Sequence, residues 1–403
     1  MKSIVFIETN KSGSSREAIK AAKALGFNTH LLTKNEEFHS QKHDFPDIDE
    51  IHLVNVSNES EVDQVVKQIT KHYFVAFVIS LVDSYVYLSA KLSNKYCQTQ
   101  LSHDAIKVME DKLLTRTCLQ NKSYSPWFII FHKQDSIEQL LNKIEKRYPL
   151  IVKLPKSCGS KDVFLIHSEK ELTEQLHRLQ KVNDNDIILI EEFLQGPQVI
   201  VETIVHKGEV RVVAIVEQDI LIGERFIVTG YSISPTPYEE QLNTITTAIM
   251  NDLKFTQGHC HLELRLVNDE WKLIEINPRI AGTVMNDLIY EAYGFNYVEQ
   301  IIKMTLGYEP FLYRIWEECA FAKFITVSSI GKLIKVTGRN KALKVPGVTK
   351  VFIKPKKGKV LRPPLSMGHR YGYVLAKAGT KQEAVGIAEK AASLIQFHLL
   401  SKE

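Results

Sequence analysis

Residues 259–279 read His259-Cys260-His261-Leu262-Glu263-Leu264-Arg265-Leu266-Val267-Asn268-Asp269-Glu270-Trp271-Lys272-Leu273-Ile274-Glu275-Ile276-Asn277-Pro278-Arg279. Both arms alternate with period two, so His261, Glu263 and Arg265 share one face, as do Leu273, Glu275 and Asn277. The polar stretch Asn268-Asp269-Glu270 reads as a three-residue hairpin loop centred on Asp269. That centring sets Glu263 opposite Glu275 and His261 opposite Asn277. Facing residues in such a pair have Cβ atoms about 5 Å apart, where like charges repel. Something positive therefore belongs between the two acids. Two carboxylates and an amide oxygen form a hard oxygen set, the kind that holds magnesium and, through it, a nucleotide phosphate. The plainer alternative is an exposed hairpin whose acids face water. The apolar alternation and the Asn-Pro-Arg ending weigh against it.

The chain of 403 residues is long enough for two or three domains. Its 44% apolar and 24% charged residues are those of an ordinary globular protein. The net charge of +4, from 51 basic and 47 acidic residues, is spread without long single-sign runs. No basic stripe with interleaved aromatics appears, so nucleic acid is not expected as a partner. Cys97, Cys118, Cys158, Cys260 and Cys319 are an odd number of scattered cysteines without a CxxC pair. They read as free thiols of a reducing compartment. The amino terminus lacks the apolar core of a signal peptide, and no apolar run approaches the ~20 residues of a membrane span. A cytoplasmic protein without membrane contact is the expectation.

Strands and helices alternate over residues 1–105, with strands at 4–8, 29–32, 51–56 and 74–79, which predicts a parallel, Rossmann-like sheet. The turn at Gly13 is not a GxGxxG fingerprint, so a dinucleotide is not expected there. Residues 106–187 carry a helix and strands at 127–131 and 150–153. Residues 188–311 hold an apolar strand, a hairpin turning at His206-Lys-Gly-Glu209, and the acidic hairpin. Residues 312–403 return to strands, ending in a helix over 381–400 capped by Thr380.

Four further stretches carry chemistry. Lys112 lies in Glu-Asp-Lys-Leu-Leu-Thr-Arg116, and Lys153 in the apolar Ile-Val-Lys-Leu-Pro, where an unpaired ammonium would be costly. Two ammonium groups on different elements can clamp a polyphosphate. Ser157, Gly159 and Ser160 form a small-residue loop whose N–H groups can approach phosphate oxygens. Ile190-Glu191-Glu192-Phe193-Leu194-Gln195-Gly196-Pro197 is a strand running into a turn. After Asn277, the proline stops the strand and Arg279 enters from the loop, followed by Gly282 and Thr283.

Taken as an ordered set, these motifs resemble the ATP-grasp superfamily of carboxylate–amine ligases, over most of the chain and most strongly over 107–310. The resemblance implies an α/β ATP-grasp fold, with an N-terminal Rossmann-like (pre-ATP-grasp) domain and a C-terminal α+β subdomain. It implies ATP bound by Lys112, Lys153 and the loop at Ser157, Gly159 and Ser160. Residues Glu191, Glu192, Phe193 and Leu194 match the adenine hinge, with the Glu191 carbonyl accepting from the adenine amino group and the Leu194 N–H donating to the ring. The ribose acid of the family is replaced by Gln198. Glu263, Glu275 and Asn277 match the magnesium ligands, for two ions with manganese as a substitute. Arg279 matches the catalytic arginine that meets the transferred phosphate, and Lys153 shares that catalytic part. Arg279, Gly282, Thr283 and His261 border the substrate. The loop departs from the family by carrying Cys158 and Asp162 where small residues are usual.

Within the superfamily the chain looks most like the bacterial L-amino-acid ligases, which join two amino acids into a dipeptide. Purine-biosynthetic ligases and biotin-dependent carboxylases match less closely. A non-catalytic ATP-binding protein and a kinase on the same scaffold stand as alternatives of other classes. Dimers are common in the family, so a homodimer is compatible with this reading.

Overall fold

Apolar strands alternating with amphipathic helices open the chain, and they fold into the parallel sheet that this pattern favours. The computed structural model describes residues 2–144, 147–155, 163–182, 187–222 and 226–400. β1 (Lys2–Ile7), β2 (Asn28–Thr33), β3 (Glu50–Leu53) and β4 (Phe74–Ile79) lie in the order β3-β2-β1-β4, all parallel. α1 (Ser14–Ala24) buries Ala18, Ile19 and Ala22 against Ile4, Phe6 and Leu31 on one face. α2 (Glu59–His72) buries Val62, Val66 and Ile69 against Val5, Ile7 and Leu32 on the other.

α3 (Lys112–Cys118) starts on Asp111, whose side chain accepts from the backbone N–H groups of Leu113 and Leu114. An antiparallel sheet follows, made of β5 (Phe128–His132), β6 (Leu150–Lys153), β7 (Val163–Ile166) and β8 (Ile187–Glu192), in the order β5-β8-β6-β7. β8 pairs with β5 and β6. The division between the two central parts therefore falls at the turn after β8, not at the expected residue 187.

The large sheet begins with β9 (Gln198–His206), β10 (Glu209–Ile222), β11 (Phe226–Ile233), β12 (Gly258–Val267) and β13 (Glu270–Asn277). After α4 (Met285–Tyr293) and α5 (Tyr297–Thr305) come β14 (Cys319–Ile325), β15 (Gly331–Thr337), β16 (Val348–Ile353), β17 (Val360–Leu361) and β18 (Gly372–Ala378). Eight strands form one sheet in the order β13-β12-β9-β10-β11-β14-β18-β16. Of the strands in the C-terminal α+β part, β14, β18 and β16 extend the central sheet. Ile200 and Ile204 of β9 join a core shared with the first domain, while Val199, Val201 and Val205 point into a second core on the opposite face. Among the described residues no helix is long and apolar enough to cross a membrane.

Two local expectations change. α6 (Lys381–Ser393) begins on Thr380, whose hydroxyl accepts from the Glu383 N–H, but it stops well short of residue 400. β19 (Gln396–Leu400) follows and completes a small sheet in the order β17-β15-β19. Phe397 and Leu399 alternate onto the cluster around Leu333 and Tyr371, so period-two burial overrides the helical pattern there. The acidic hairpin turns on two residues, Asn268 and Asp269, with φ of 48° and 64° between the paired Val267 and Glu270. This is the left-handed geometry of a tight hairpin turn. Such a loop alone would set Glu263 against Ile274. A register shift between Glu263 and Leu264 absorbs one residue on β13, and Glu263 faces Glu275 with His261 facing Asn277.

The hinge turn is locked against this hairpin. Gly196 has φ of +150°, and a Cβ there would stand 1.8 Å from the Leu266 carbonyl oxygen. Gly196→Ala should lower stability by about 3 kcal/mol through overpacking and strain, read as the urea unfolding midpoint. A loss below about 0.5 kcal/mol, the size of an ordinary surface change, would show that the turn does not ride on the hairpin.

Candidate active site

The small and large sheets enclose a cavity of about 930 Å³ that also reaches the start of α1 and the C-terminal strands. One end is lined by residues 191–194, with Ile151, Val163 and Ile274. Lys112, Lys153, Glu263, Glu275, Asn277 and Arg279 line its middle. Beyond Arg279 lie Ser12, Ser14, Gly282 and Thr283, facing an aromatic wall of Tyr231, Phe324, Phe352 and Tyr373.

At the first end, Glu191 is buried between two cations. Arg116 of α3 donates through Nε to Glu191 Oε1 and through Nη2 to Oε2, and Lys153 Nζ donates to Oε2 at 2.6 Å. Burial alone would raise the Glu191 pKa, but Arg116 and Lys153 hold it below its ordinary value. Burial pulls Lys153 down to about 8 against the opposing pull of Glu191. Arg116 Nη2 also donates to the Ile274 carbonyl, which the bulge turns away from the ladder. Arg265 donates to the Leu194 carbonyl at 2.7 Å and to Gln198 Oε1, so it fixes the hinge from below. Among the described residues nothing accepts from the Leu194 N–H. Gln198 spends its other end on Glu263, donating from Nε2 to Oε2 at 2.9 Å.

In the middle, the two facing acids titrate as a pair. Burial first, and the Glu275 charge second, push Glu263 up. Burial works the same way on Glu275, but Lys112, 3.5 Å away, holds it down. Asn277 Nδ2 donates to Glu275 Oε1 at 3.0 Å and lies 3.3 Å from His261 Nε2. His261 Nδ1 lies 2.7 Å from the Arg279 carbonyl. Burial, then Arg279, lowers the His261 pKa to about 4, so the ring is neutral. Donating from Nδ1, it accepts at Nε2, which orients the Asn277 amide nitrogen inward and leaves its oxygen for the cavity. Two half-buried carboxylates and that oxygen are a donor set suited to magnesium.

Arg279 is gripped by Asp83 of the first domain, with Nη2 2.7 Å from Oδ2 and Nε on Oδ1. The turn that follows is held from both sides. Ser14 donates to the Ala281 carbonyl at 2.9 Å, and the Ala281 N–H donates to Glu202 Oε1 at 2.7 Å. Thr283 has φ of +67° and meets the backbone of Gly13, where a Cβ would lie 3.2 Å from Thr283 N and O. Glu202 Oε2 is buried without a hydrogen-bond partner among the described residues, as is Arg370 Nη1. Arg370 lies 4.0 Å over the Phe324 ring, with Nη2 3.5 Å from Thr283 Oγ1.

Lys112, Lys153, Glu191, Glu192, Phe193, Leu194, Gln198, His261, Glu263, Glu275, Asn277, Arg279, Gly282 and Thr283 thus line one cavity. Ser157, Gly159 and Ser160 lie outside the described residues, as does Cys158. The other four cysteines are free thiols. Asp83, Arg116, Glu202 and Arg370 were not anticipated. Arg116 follows Lys112 by four residues and so shares its helix face. Glu202 is a lone acid in an apolar strand, in phase with Gln198. For Asp83 and Arg370 no sequence signal exists, because their contacts cross between distant parts of the chain.

Residues 146–287 match the family model of the ATP-grasp domain, and residues 323–399 match that of the L-amino acid ligase C-terminal domain 2. An L-amino acid ligase from Bacillus licheniformis superposes with a TM-score of 0.84 at 23% identity, covering 100% of this chain and 99% of that one. The biotin carboxylase domain of Hydrogenobacter thermophilus 2-oxoglutarate carboxylase, solved with MgADP and bicarbonate, superposes with a TM-score of 0.73 at 16% identity, covering 99% and 91%. The large chain of carbamoyl phosphate synthase from Clostridium beijerinckii is 22% identical over 308 residues, 73% of this chain but only 27% of that protein. The chain thus spans about a quarter of the length of that curated relative. Residues 146–287 are thus an ATP-grasp domain, residues 323–399 are similar to the L-amino acid ligase C-terminal domain 2, and the whole chain shares the fold of these solved structures.

Burial raises the Glu202 pKa to about 8 from an ordinary 4.5, against the lowering effect of the Ala281 N–H and Arg279. Between those values the folded protein keeps a proton that the unfolded chain has released. Stability therefore falls as pH rises through this window and levels off above it. Glu202→Gln keeps the Ala281 hydrogen bond and removes the titration. Urea unfolding at about pH 5 and about pH 8.5 should show the variant gaining on the native protein by on the order of 4 kcal/mol. A gap independent of pH would refute the buried neutral acid.

Proposed function

We propose that the protein joins two amino acids at the expense of ATP. Adenine lies against the hinge, where the Leu194 N–H is available to it, and the polyphosphate lies along Lys112 and Lys153. Glu263, Glu275 and Asn277 would hold magnesium, as two ions that manganese can replace, and the bound cation neutralises phosphate charge. A carboxylate resists attack by an amine because its oxide is a poor leaving group. The γ-phosphoryl group therefore moves to the first amino acid: its bond to the β-phosphate bridging oxygen breaks, a carboxylate oxygen–phosphorus bond forms, and ADP remains. Charge spreads over oxygens in that transition state, beside Arg279 and Lys153. The amine of the second amino acid attacks the acyl carbon, phosphate departs, and the nitrogen loses its proton to give a dipeptide.

The observation that carries this reading is the chamber beyond Arg279. An ATP-grasp protein acting on bicarbonate needs no aromatic wall, whereas Tyr231, Phe324, Phe352 and Tyr373 can receive an apolar side chain. The unmatched Arg370 Nη1 beside that wall supplies a donor for a substrate oxygen. Phosphate release from Mg-ATP is measured against the twenty L-amino acids, singly and in pairs, with mass spectrometry of the products. Release that depends on amino acids and yields a dipeptide mass is expected. Release driven by bicarbonate alone would favour the carboxylase-type reaction, and a stable phosphorylated product would favour a kinase. Glu275→Gln removes charge at nearly constant volume and should abolish release without unfolding the protein. Native turnover in that variant would sink the metal assignment.

A further inference from the structure

A second constellation lies in the first domain, on the sheet face covered by α2. β2 and β3 pair in parallel with His30 opposite Glu50, and His52, two residues along β3, projects on the same side as Glu50. His30 Nδ1 stands 3.2 Å from His52 Nε2 and 3.6 Å from Glu50 Oε2. His52 Nε2 stands 3.8 Å from the same oxygen. Three donor atoms on two adjacent strands thus form a small triangle. A tetrahedral zinc ion with bonds of about 2.0–2.1 Å places its ligand atoms roughly 3.3–3.4 Å apart. The triangle reaches that geometry with shifts of a few tenths of an ångström.

The surroundings are also those of a ligand set. The Tyr73 hydroxyl donates to Glu50 Oε1, which orients the carboxylate and leaves Oε2 toward the two rings. The Asn28 side-chain amide lies 3.1 Å from His30 Nε2. The near atom is Nδ2; a flip of the amide would turn Oδ1 to the ring, where it would accept the N–H that a metal-bound imidazole carries on its other nitrogen. His30 is fully buried, edge-on to Tyr73 and stacked on His52. A simple histidine–histidine hydrogen bond accounts for the 3.2 Å contact. Glu50 Oε2 completes the triangle at ion-pair distance from both rings, just beyond hydrogen-bond reach of either.

We propose that His30, Glu50 and His52 form a site for one zinc ion or a similar borderline divalent cation, separate from the phosphate-end acids. Two imidazoles and one carboxylate select zinc, cobalt(II), nickel or copper over magnesium, unlike the all-oxygen set at Glu263, Glu275 and Asn277. Glu50 and His52 are partly exposed, so water can complete the coordination. The ion would tie edge strand β3 to β2 and, through Tyr73, to the end of α2. This inference is independent of the reaction proposed above.

The test is zinc titration of the full chain, by calorimetry and by competition with a chromophoric chelator, with cobalt(II) absorption as a report on coordination. The native protein should take up one equivalent at this site and show the visible bands of a tetrahedral cobalt site. His52→Gln and Glu50→Gln, both at partly exposed positions, should each weaken zinc binding at least about 100-fold, and Tyr73→Phe about 10-fold. Glu275→Gln should leave this zinc equivalent in place. Absence of a zinc equivalent in the native protein would overturn the proposal. So would its retention by folded His52→Gln and Glu50→Gln proteins, with circular dichroism as the check on folding.

Discussion

The buried guanidinium of Arg116 holds the site together. It starts from a seven-residue helix, grips Glu191 at the end of the small sheet, and takes the carbonyl that the bulge at Ile274 releases from the large one. Three separately folded pieces thus share one side chain. An arginine this deeply buried would be strongly unfavourable alone, since removing one partner of a buried ion pair typically costs about 3–5 kcal/mol. Here the Glu191 carboxylate and the Ile274 carbonyl compensate the guanidinium, while the like-charged Lys153 shares that carboxylate and opposes it. The turn after β8, Lys153 and the acidic hairpin therefore cannot move independently. The bulge has two effects at once: it sets Glu263 against Glu275, and it provides the oxygen that anchors Arg116.

The same economy governs the charges in the cavity. Lys153 rests on Glu191, Lys112 is beside Glu275, and Arg279 is held by Asp83. Each cation assigned to phosphate in the proposed reaction is thus already desolvated and oriented by an internal anion. Preorganised charge of this kind stabilises a transition state without reorganising as the reaction proceeds. The counterpart is the pair Glu263 and Glu275, two facing acids for which Lys112 is only a partial counterion. Burial and mutual repulsion favour a proton on Glu263, and a divalent cation between the acids would release it. His261 acts through geometry, since a neutral ring accepting at Nε2 fixes which end of Asn277 meets the cavity.

How far the sequence reveals this depends on the range of each interaction. Period-two alternation displayed the faces of β12 and β13, and the pairing of Glu263 with Glu275 could be read from it. A three-residue loop centred on Asp269 would give the same pairing. The structure reaches it with a two-residue turn and a bulge, two one-residue departures that cancel. Nothing local to Ile274 announces the bulge, whose freed carbonyl finds its partner in Arg116, more than 150 positions away. Local pattern also misjudged the last segment, where Phe397 and Leu399 answer to a neighbouring strand. The clamps formed by Asp83 and Arg370 lie beyond any local pattern, since each closes only when separate layers meet.

The continuous sheet explains why the chamber belongs to the C-terminal part of the chain. Strands β14, β18 and β16 are hydrogen-bonded in series to β11, so Phe324, Phe352 and Tyr373 hold fixed positions relative to the acidic hairpin. A separate lobe could tilt with respect to the phosphate end, whereas an extension of the same sheet cannot do so without breaking its ladder. The turn at residues 280–283 then stands between two rigid walls, with Gly13 and Ser14 on one side and Arg370 on the other. The left-handed Thr283 survives there because both walls constrain it. Distance from the acidic hairpin to the aromatic wall is thereby set by the fold itself, and in the proposed reaction selection among substrates falls to the side chains that line it.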